Sequence, residues 1–215
     1  MNDLPQFLVQ ISIWALPTIF AIILHEISHG FVALQLGDDT ALRAGRLTLN
    51  PISHIDLFGT IILPAMLLFL HLPVFGYAKP VPVDFRRLRP LRLGMIVVSA
   101  AGPLTNFSLA VLSALVMRFA LSSINGPMGH EVAFPIALMA KVSVIINVVL
   151  GVFNLFPLLP LDGGRVLAGI LPLQAARAYS RLEPYGFLIL LLLLYTDTVE
   201  RVISPIINSI VRVLI

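Results

Sequence analysis

Residues 5–37 read PQFLVQISIWALPTIFAIILHEISHGFVALQLG, a long apolar run with ionisable side chains near its end. The run is long enough to cross a bilayer as a helix, for which about 20 apolar residues suffice. We therefore predict a first spanning helix over residues 6–36, kinked at Pro17 and ended by Gly37. The ionisable side chains in its second half are His25, Glu26 and His29.

These three residues form the pattern H-E-x-x-H. His25 and His29 are four residues apart, so a helix places both imidazoles on one face, where they can bind one zinc ion. Glu26 can then serve as the general base toward water at the metal. Chance gives this pattern in about one of five hundred chains of this composition. The alternative is that the side chains only join helices by hydrogen bonds, but ionisable groups within a membrane are costly and usually functional.

The composition is that of a membrane protein. Of the 215 residues 58% are apolar and only 12% are charged, whereas about half of a soluble domain is apolar. The chain has no cysteine, so a metal site must use histidine and carboxylate. The net charge of +3 is concentrated in loops, with no basic stripe interleaved with aromatic residues, so nucleic acid is not a predicted partner.

Four further apolar runs follow the first. Residues 93–121 and 134–156 are predicted to be full spans. The run that begins at residue 186 continues to 215 either as a tilted span or as an amphipathic helix on the surface. Residues 57–72 are short for a span and contain a glycine and a proline, so we predict that they re-enter the membrane rather than cross it.

The cations indicate which loops are cytoplasmic. The loop after residue 76 is the most basic and is therefore predicted to be cytoplasmic, whereas loop 122–133 has no Lys or Arg and is predicted to lie outside. Re-entry of residues 57–72 also keeps the cations before it on the cytoplasmic side. The cations assigned to that side are Arg43, Arg46, Lys79, Arg86, Arg87, Arg89, Arg92, Arg165, Arg177 and Arg181.

The span 134–156 leads into FNLFPLLPLDGG, residues 153–164, where prolines and glycines interrupt the helix. Because this span and the first both run inward, Asp162 arrives at the depth of the two histidines. Two imidazoles and one carboxylate leave a fourth zinc position open for water, as in catalytic sites. Two alternatives remain: Asp162 is a helix N-cap, or the third ligand is Asp56, His54 or His71.

Together these motifs resemble the site-2 proteases, which are intramembrane zinc metalloproteases. The similar segments are HEISHG at 25–30, NPISHIDLFGT at 50–60, GYAKPVPV at 76–83, AGPLTN at 101–106 and FNLFPLLPLDGG at 153–164. The resemblance is to the short branch of the family without a PDZ or CBS domain. It implies a single intramembrane metalloprotease domain over residues 1–215.

The resemblance also implies a role for each site residue. His25, His29 and Asp162 are the implied Zn²⁺ ligands, and Glu26 is the implied catalytic acid/base. Asn154 is implied to bind and polarise the scissile carbonyl. Asn106 is implied to assist substrate binding, with a helix–helix hydrogen bond as the alternative.

The implied reaction is hydrolysis of peptide bonds within or near transmembrane segments of membrane-protein substrates. The site would lie in the cell membrane, inside the bilayer and near its cytoplasmic face. A zinc-binding membrane protein without protease activity, either a transporter or an inactive scaffold, is the alternative. The presence of Glu26 distinguishes the protease from this alternative, since hydrolysis requires a base beside the metal and metal binding alone does not.

The predicted fold class is an all-α polytopic membrane protein. It has about four spanning helices, re-entrant or short helical segments, and a few short membrane-associated β-strands. Residues 40–50 and 76–83 are the candidate strands, which could hold an extended substrate segment by edge pairing. The sequence does not indicate the oligomeric state.

Overall fold

The computed structural model describes residues 3–71, 76–126 and 129–215, except the side chains of residues 3–10 and 130. Within these ranges every regular element is a helix. Its α-helices are α1 (Asp3–Gln35), α2 (Thr40–Arg43), α3 (Leu63–Phe69), α4 (Leu91–Ser122), α5 (Phe134–Asn154), α6 (Asp162–Ile170), α7 (Leu173–Ser180), α8 (Glu183–Tyr195) and α9 (Thr198–Leu214).

Three segments in the described residues are long and apolar enough to cross a membrane. They are Ile11–Gln35, Leu91–Ser122 and Glu131–Asn154. These segments confirm the three long spans predicted from hydropathy. Many of their large apolar side chains are exposed, as expected where helices face lipid rather than water.

Small residues let α4 pack closely against its neighbours. Ala110 and Ala114 of α4 are buried against Val144, Val148 and Val152 of α5. Close contact between small residues is typical of helix association in membranes, where hydrophobicity alone does not drive helices together. Helix α4 packs against both α1 and α5, and can supply groups to both.

The end of α1 follows from one glycine. Gly37 has a φ of +98°, a left-handed conformation that favours glycine. The Asp38 amide then donates to the Ala33 carbonyl at 2.9 Å, which closes the last turn. This geometry confirms the predicted end of the helix.

The segment between α2 and α4 folds back on itself. A π-helical turn at Leu57–Ile62 leads directly into α3. The Tyr77 amide then donates to the Gly59 carbonyl at 3.0 Å, so the chain comes back to where the turn began. Leu72, the last residue of the predicted re-entrant segment, lies outside the described residues.

The predicted short strands are absent from the described ranges. Residues 40–43 form α2 instead, and residues 76–84 are neither helix nor strand. The N–H groups of Tyr77, Lys79 and Val81 donate into the body of the protein, at the two-residue spacing of an extended chain. Their acceptors are a π-helical turn, a 3₁₀ turn and the Glu26 side chain rather than a neighbouring strand, so no ladder forms.

The last apolar run is broken into α8 and α9. Asp197 lies between them with a φ of 54°. Neither helix is long enough by itself to count among the candidate spans, so a fourth single spanning helix is not confirmed. Helix α9 is amphipathic, which is a feature of one of the two alternatives for this run. Its apolar face packs on the α4–α5 core through Ile203, Ile207, Ile210, Val211 and Leu214.

Candidate metal centre

The centre is built from α1 and from the first residue of α6. Helical spacing puts the His25 and His29 imidazoles side by side, with their Nε2 atoms 3.1 Å apart. The Asp162 Oδ2 atom lies 3.2 Å from His25 Nε2 and 3.3 Å from His29 Nε2. The predicted convergence of residues 25, 29 and 162 is therefore present, although 133 residues separate the last two along the chain.

The three converging atoms, His25 Nε2, His29 Nε2 and Asp162 Oδ2, are all acceptors of hydrogen bonds when the imidazoles are neutral. His29 Nδ1 donates to the Val98 carbonyl at 2.7 Å, and His25 Nδ1 donates to Asn106 Oδ1 at 2.6 Å. In the neutral imidazoles, both Nε2 atoms therefore present lone pairs toward Asp162. Asp162 Oδ2 is buried and has no hydrogen-bond donor among the described residues. A cation resolves this arrangement, and two imidazoles with a carboxylate are a common zinc ligand set.

A glycine of α4 keeps the space beside these atoms open. A Cβ atom on Gly102 would overlap His25 and His29 at their Nε2 sides. The same helix supplies the Val98 carbonyl and Asn106 to the two Nδ1 atoms. Helix α4 therefore orients both imidazoles and leaves room where a metal ion would bind.

Two glycines bring Asp162 into place. A Cβ on Gly163 would collide with the Leu155 carbonyl, and one on Gly164 would collide with the backbone at Leu158. The start of α6 can therefore pack directly on the unwound segment that precedes it. The N-cap position is Leu161, and Asp162 makes no capping hydrogen bond, so the N-cap alternative does not describe this geometry.

Glu26 is held next to the histidines by the backbone of the loop before α4. Its Oε2 atom accepts a hydrogen bond from the Val81 N–H at 2.8 Å. Gly30, one turn further along α1, permits this approach, because a Cβ there would lie 2.8 Å from the Val81 side chain.

The alternative third ligands lie outside the cluster. Asp56 accepts from the Gly59 amide at 2.7 Å, and His54 Nε2 donates to the Thr48 carbonyl at 2.9 Å. His71 is exposed at the end of α3. Among the described residues, the one group of histidines and acids arranged to hold a metal ion is His25, His29 and Asp162.

The two asparagines have different environments. Asn154 is half-buried and donates to the Leu150 carbonyl at 3.0 Å, and within the described residues no hydrogen bond joins it to the cluster. Asn106 is fully buried and bonds to His25 and to the Ala21 carbonyl. This burial favours the helix–helix hydrogen bond over substrate binding for Asn106.

Sequence reasoning missed three contributors to the site. The Val81 N–H lies in residues 76–83, which the sequence indicated as a candidate strand. Its contact with Glu26 is set only by tertiary folding. Gly102 belongs to the small-residue run expected to allow close helix contact, but its position opposite the imidazoles was not predicted. Asn147 accepts a hydrogen bond from Asn106 Nδ2 at 2.8 Å, and as a polar residue in an apolar span it carried a signal that could have identified it.

Long apolar helices enclosing a buried His–His–Asp cluster define a membrane-embedded metal-binding protein. The model for peptidase family M50 matches residues 119–195, which include Asp162. YwhC of Bacillus subtilis is 39% identical over 86% of this chain and 81% of its own length. Rip2 of Mycolicibacterium smegmatis is 29% identical over 91% and 70% of the two lengths. MJ0392 of Methanocaldococcus jannaschii is 28% identical over 70% and 32%.

The names of all three relatives call them zinc metalloproteases, the first two provisionally. The chain belongs to peptidase family M50, the site-2 proteases. This confirms the predicted family and its activity, that of an intramembrane zinc metalloprotease with Zn²⁺ as cofactor. No solved structure matches the chain significantly.

Proposed function

We propose that this chain cuts peptide bonds within or near transmembrane segments of membrane-protein substrates, with His25, His29 and Asp162 holding zinc and Glu26 as the catalytic acid/base. The observation that carries this assignment is the buried cluster of lone pairs without protons, formed by His25, His29 and Asp162. A carboxylate next to such a cluster is what hydrolysis needs in addition to metal binding.

The residues divide the reaction between them. Zinc, when bound, supplies a Lewis acid for the substrate carbonyl and lowers the pKa of water toward about 7. Glu26 takes the proton from the attacking water and delivers it to the leaving amide nitrogen. The Val81 N–H fixes one oxygen of Glu26, so the other exchanges the proton. Asn154 turns its amide from the Leu150 carbonyl to the scissile carbonyl and polarises it.

We further propose that the site lies inside the cell membrane, near the cytoplasmic face. His29 is six residues before the end of α1 at Gln35, or about 9 Å at ~1.5 Å per residue. The basic loops adjoin that end of α1, since the Arg89 amide bonds to the Leu36 carbonyl, and cytoplasmic loops are rich in Lys and Arg. In this topology α8 and α9 together form a broken fourth crossing, and the segment that returns at Tyr77 is re-entrant.

Replacing Glu26 by Gln tests the assignment, because glutamine can still accept the Val81 hydrogen bond but cannot carry the proton. We expect Glu26→Gln to retain zinc and to lose at least about 100-fold in cleavage rate, the scale of general acid–base catalysis. Both are measured on purified protein, by metal analysis and with a transmembrane reporter peptide in vesicles.

Exposed Glu183, which is also acidic but outside the cluster, provides the matched control. Glu183→Gln should cleave the reporter like the wild type. Wild-type protein that cuts no substrate in a broad transmembrane panel, yet carries zinc into vesicles, would overturn the assignment in favour of a transporter.

A further inference from the structure

A chain of buried polar groups runs away from the metal centre through three helices. Asn106 Nδ2 on α4 donates to Asn147 Oδ1 on α5 at 2.8 Å. Asn147 Nδ2 in turn donates to the Ser143 carbonyl at 2.9 Å. Ser143 Oγ is 2.8 Å from Ser113 Oγ. Both asparagines are at most 1% exposed, in a region otherwise packed with alanine and valine.

Two backbone carbonyls fix the direction of the hydrogen bond between the two asparagines. A backbone carbonyl only accepts, so the Ser143 carbonyl requires the amide nitrogen of Asn147. Asn147 must then present its oxygen to Asn106. The Ala21 carbonyl, 3.3 Å from Asn106 Nδ2, imposes the same orientation on Asn106 from the side of α1.

The orientation of Asn106 determines which ring nitrogen of His25 carries the proton. With its nitrogen directed at Asn147, Asn106 has only its oxygen to offer His25, and this oxygen requires a proton on His25 Nδ1. The proton is therefore absent from His25 Nε2, which keeps its lone pair for a metal ion. His29 needs no such chain, because its Nδ1 faces the Val98 carbonyl directly.

We propose that Asn147 is a positioning residue that sets the tautomer of His25 through Asn106. This inference rests on the proposed zinc site, and it adds a residue on α5 that touches neither metal nor substrate. Loss of Asn147 leaves Asn106 held only by the longer bond to the Ala21 carbonyl. The Asn106 amide can then rotate and offer its nitrogen to His25, which places the proton on Nε2 and blocks that ligand.

Asn147→Leu removes the hydrogen bonds at similar volume. We expect its zinc affinity, measured by chelator competition on the detergent-solubilised full chain, to fall about 10–100-fold, as for other residues that orient metal ligands. Asn147→Asp, in its neutral carboxylic acid form, can donate its O–H to the Ser143 carbonyl and accept from Asn106 through its other oxygen, so its affinity should recover toward the wild-type value. Val144→Ala, a fully buried packing change one turn away on α5, should lower stability and leave zinc affinity within about twofold.

The tautomer itself is the second readout. In metal-free protein labelled with ¹⁵N-histidine, the His25 resonances, identified by their loss in His25→Gln, should show a protonated Nδ1 in the wild type and both tautomers in Asn147→Leu. Unchanged zinc affinity and tautomer in Asn147→Leu would overturn the inference, as would an equal loss of affinity in Val144→Ala. Wild-type protein that binds no zinc, or Asp162→Ala that binds it fully, would instead overturn the proposed zinc site.

Discussion

At the scale of single residues, the centre is defined by which atoms lack protons. His25 and His29 each donate through Nδ1, which leaves both Nε2 atoms as acceptors next to the Asp162 carboxylate. Three buried acceptors this close repel one another unless a cation lies between them. Asp162 supplies the negative charge, so it should contribute most to binding a divalent ion.

Asp162→Ala should therefore lose most of its zinc and all of its activity. Loss of residues that only orient a ligand typically costs about 10–100-fold in affinity, so loss of a ligand itself should cost at least that. Metal analysis of the purified variants measures their zinc content. Asp56→Ala and His71→Ala are the controls, because both side chains lie outside the cluster, and they should keep wild-type zinc. Zinc lost from Asp56→Ala and retained by Asp162→Ala would contradict the ligand assignment.

At the scale of elements, the end of α1 is tied to the loop that leads into α4. Asp38 is completely buried and accepts hydrogen bonds from the Asp84 N–H at 2.7 Å and from the Thr40 N–H at 3.1 Å. Further back in the same loop, the Val81 N–H holds Glu26. Asp38 thus anchors the segment that positions Glu26, the proposed general base.

Asp38→Ala should lower the free energy of unfolding by about 1–3 kcal/mol, because the Asp84 and Thr40 N–H groups lose their buried acceptor. Chemical unfolding in detergent micelles measures this loss. The cleavage rate should fall as well, since the loop no longer fixes the Glu26 carboxylate. A variant as stable and as active as the wild type would contradict this role for Asp38.

The neighbouring acid is the matched control. Asp39 is partly exposed and pairs with Arg43 at 2.6 Å and with Arg87 at 2.7 Å. Desolvation opposes ionisation of this carboxyl, but the two guanidinium groups outweigh it and lower the pKa of Asp39. Its stabilising effect is thus present at neutral pH and is lost as the pH falls through the lowered pKa. Because surface ion pairs contribute little, Asp39→Ala should behave like the wild type.

At the scale of the whole molecule, the site joins the two halves of the chain. His25 and His29 come from the first helix, and Asp162 comes after the third long helix. A metal ion bound between them crosslinks these helices across a bundle that is otherwise held by small-residue packing. Zinc should therefore stabilise the entire fold and not only the site.

Removal of zinc with a chelator should lower the unfolding temperature of the wild type. A ligand present at about 100 times its Kd contributes about 2.7 kcal/mol to the stability of the folded state. Asp162→Ala should already unfold near the temperature of the chelated wild type and should show no further shift with chelator. An equal chelator-induced shift in both proteins would place the stabilising metal elsewhere.

The proposed topology is a second property of the whole molecule, and the cysteine-free chain is suited to its test. Arg86→Cys lies in the basic loop, and Ser122→Cys lies at the opposite end of α4. An impermeant maleimide should label Ser122→Cys in intact cells and Arg86→Cys only in inverted vesicles, with the unmodified chain unlabelled throughout. Labelling of Arg86→Cys in intact cells would place the site near the outer face instead.

The sequence by itself determined the three long spans, the end of α1 at Gly37, the motif on α1 and the arrival of Asp162 at its depth. The first three depend on local information, and the last follows from the predicted direction of the two spans. Hydropathy over about 20 residues defines a span, helical spacing puts residues four apart on one face, and glycine favours the left-handed conformation that ends a helix.

Only the tertiary structure decided the contacts between distant segments. The Val81 N–H meets Glu26 from 55 residues away, Asn106 meets His25 from 81 residues away, and Asn147 reaches Asn106 across 41 residues. Whether residues 76–83 form a strand was also settled at this level, because their N–H groups bond to Gly59, His54 and Glu26 instead of to a partner strand. Such pairings depend on how helices dock, and no local pattern in the sequence encodes that docking.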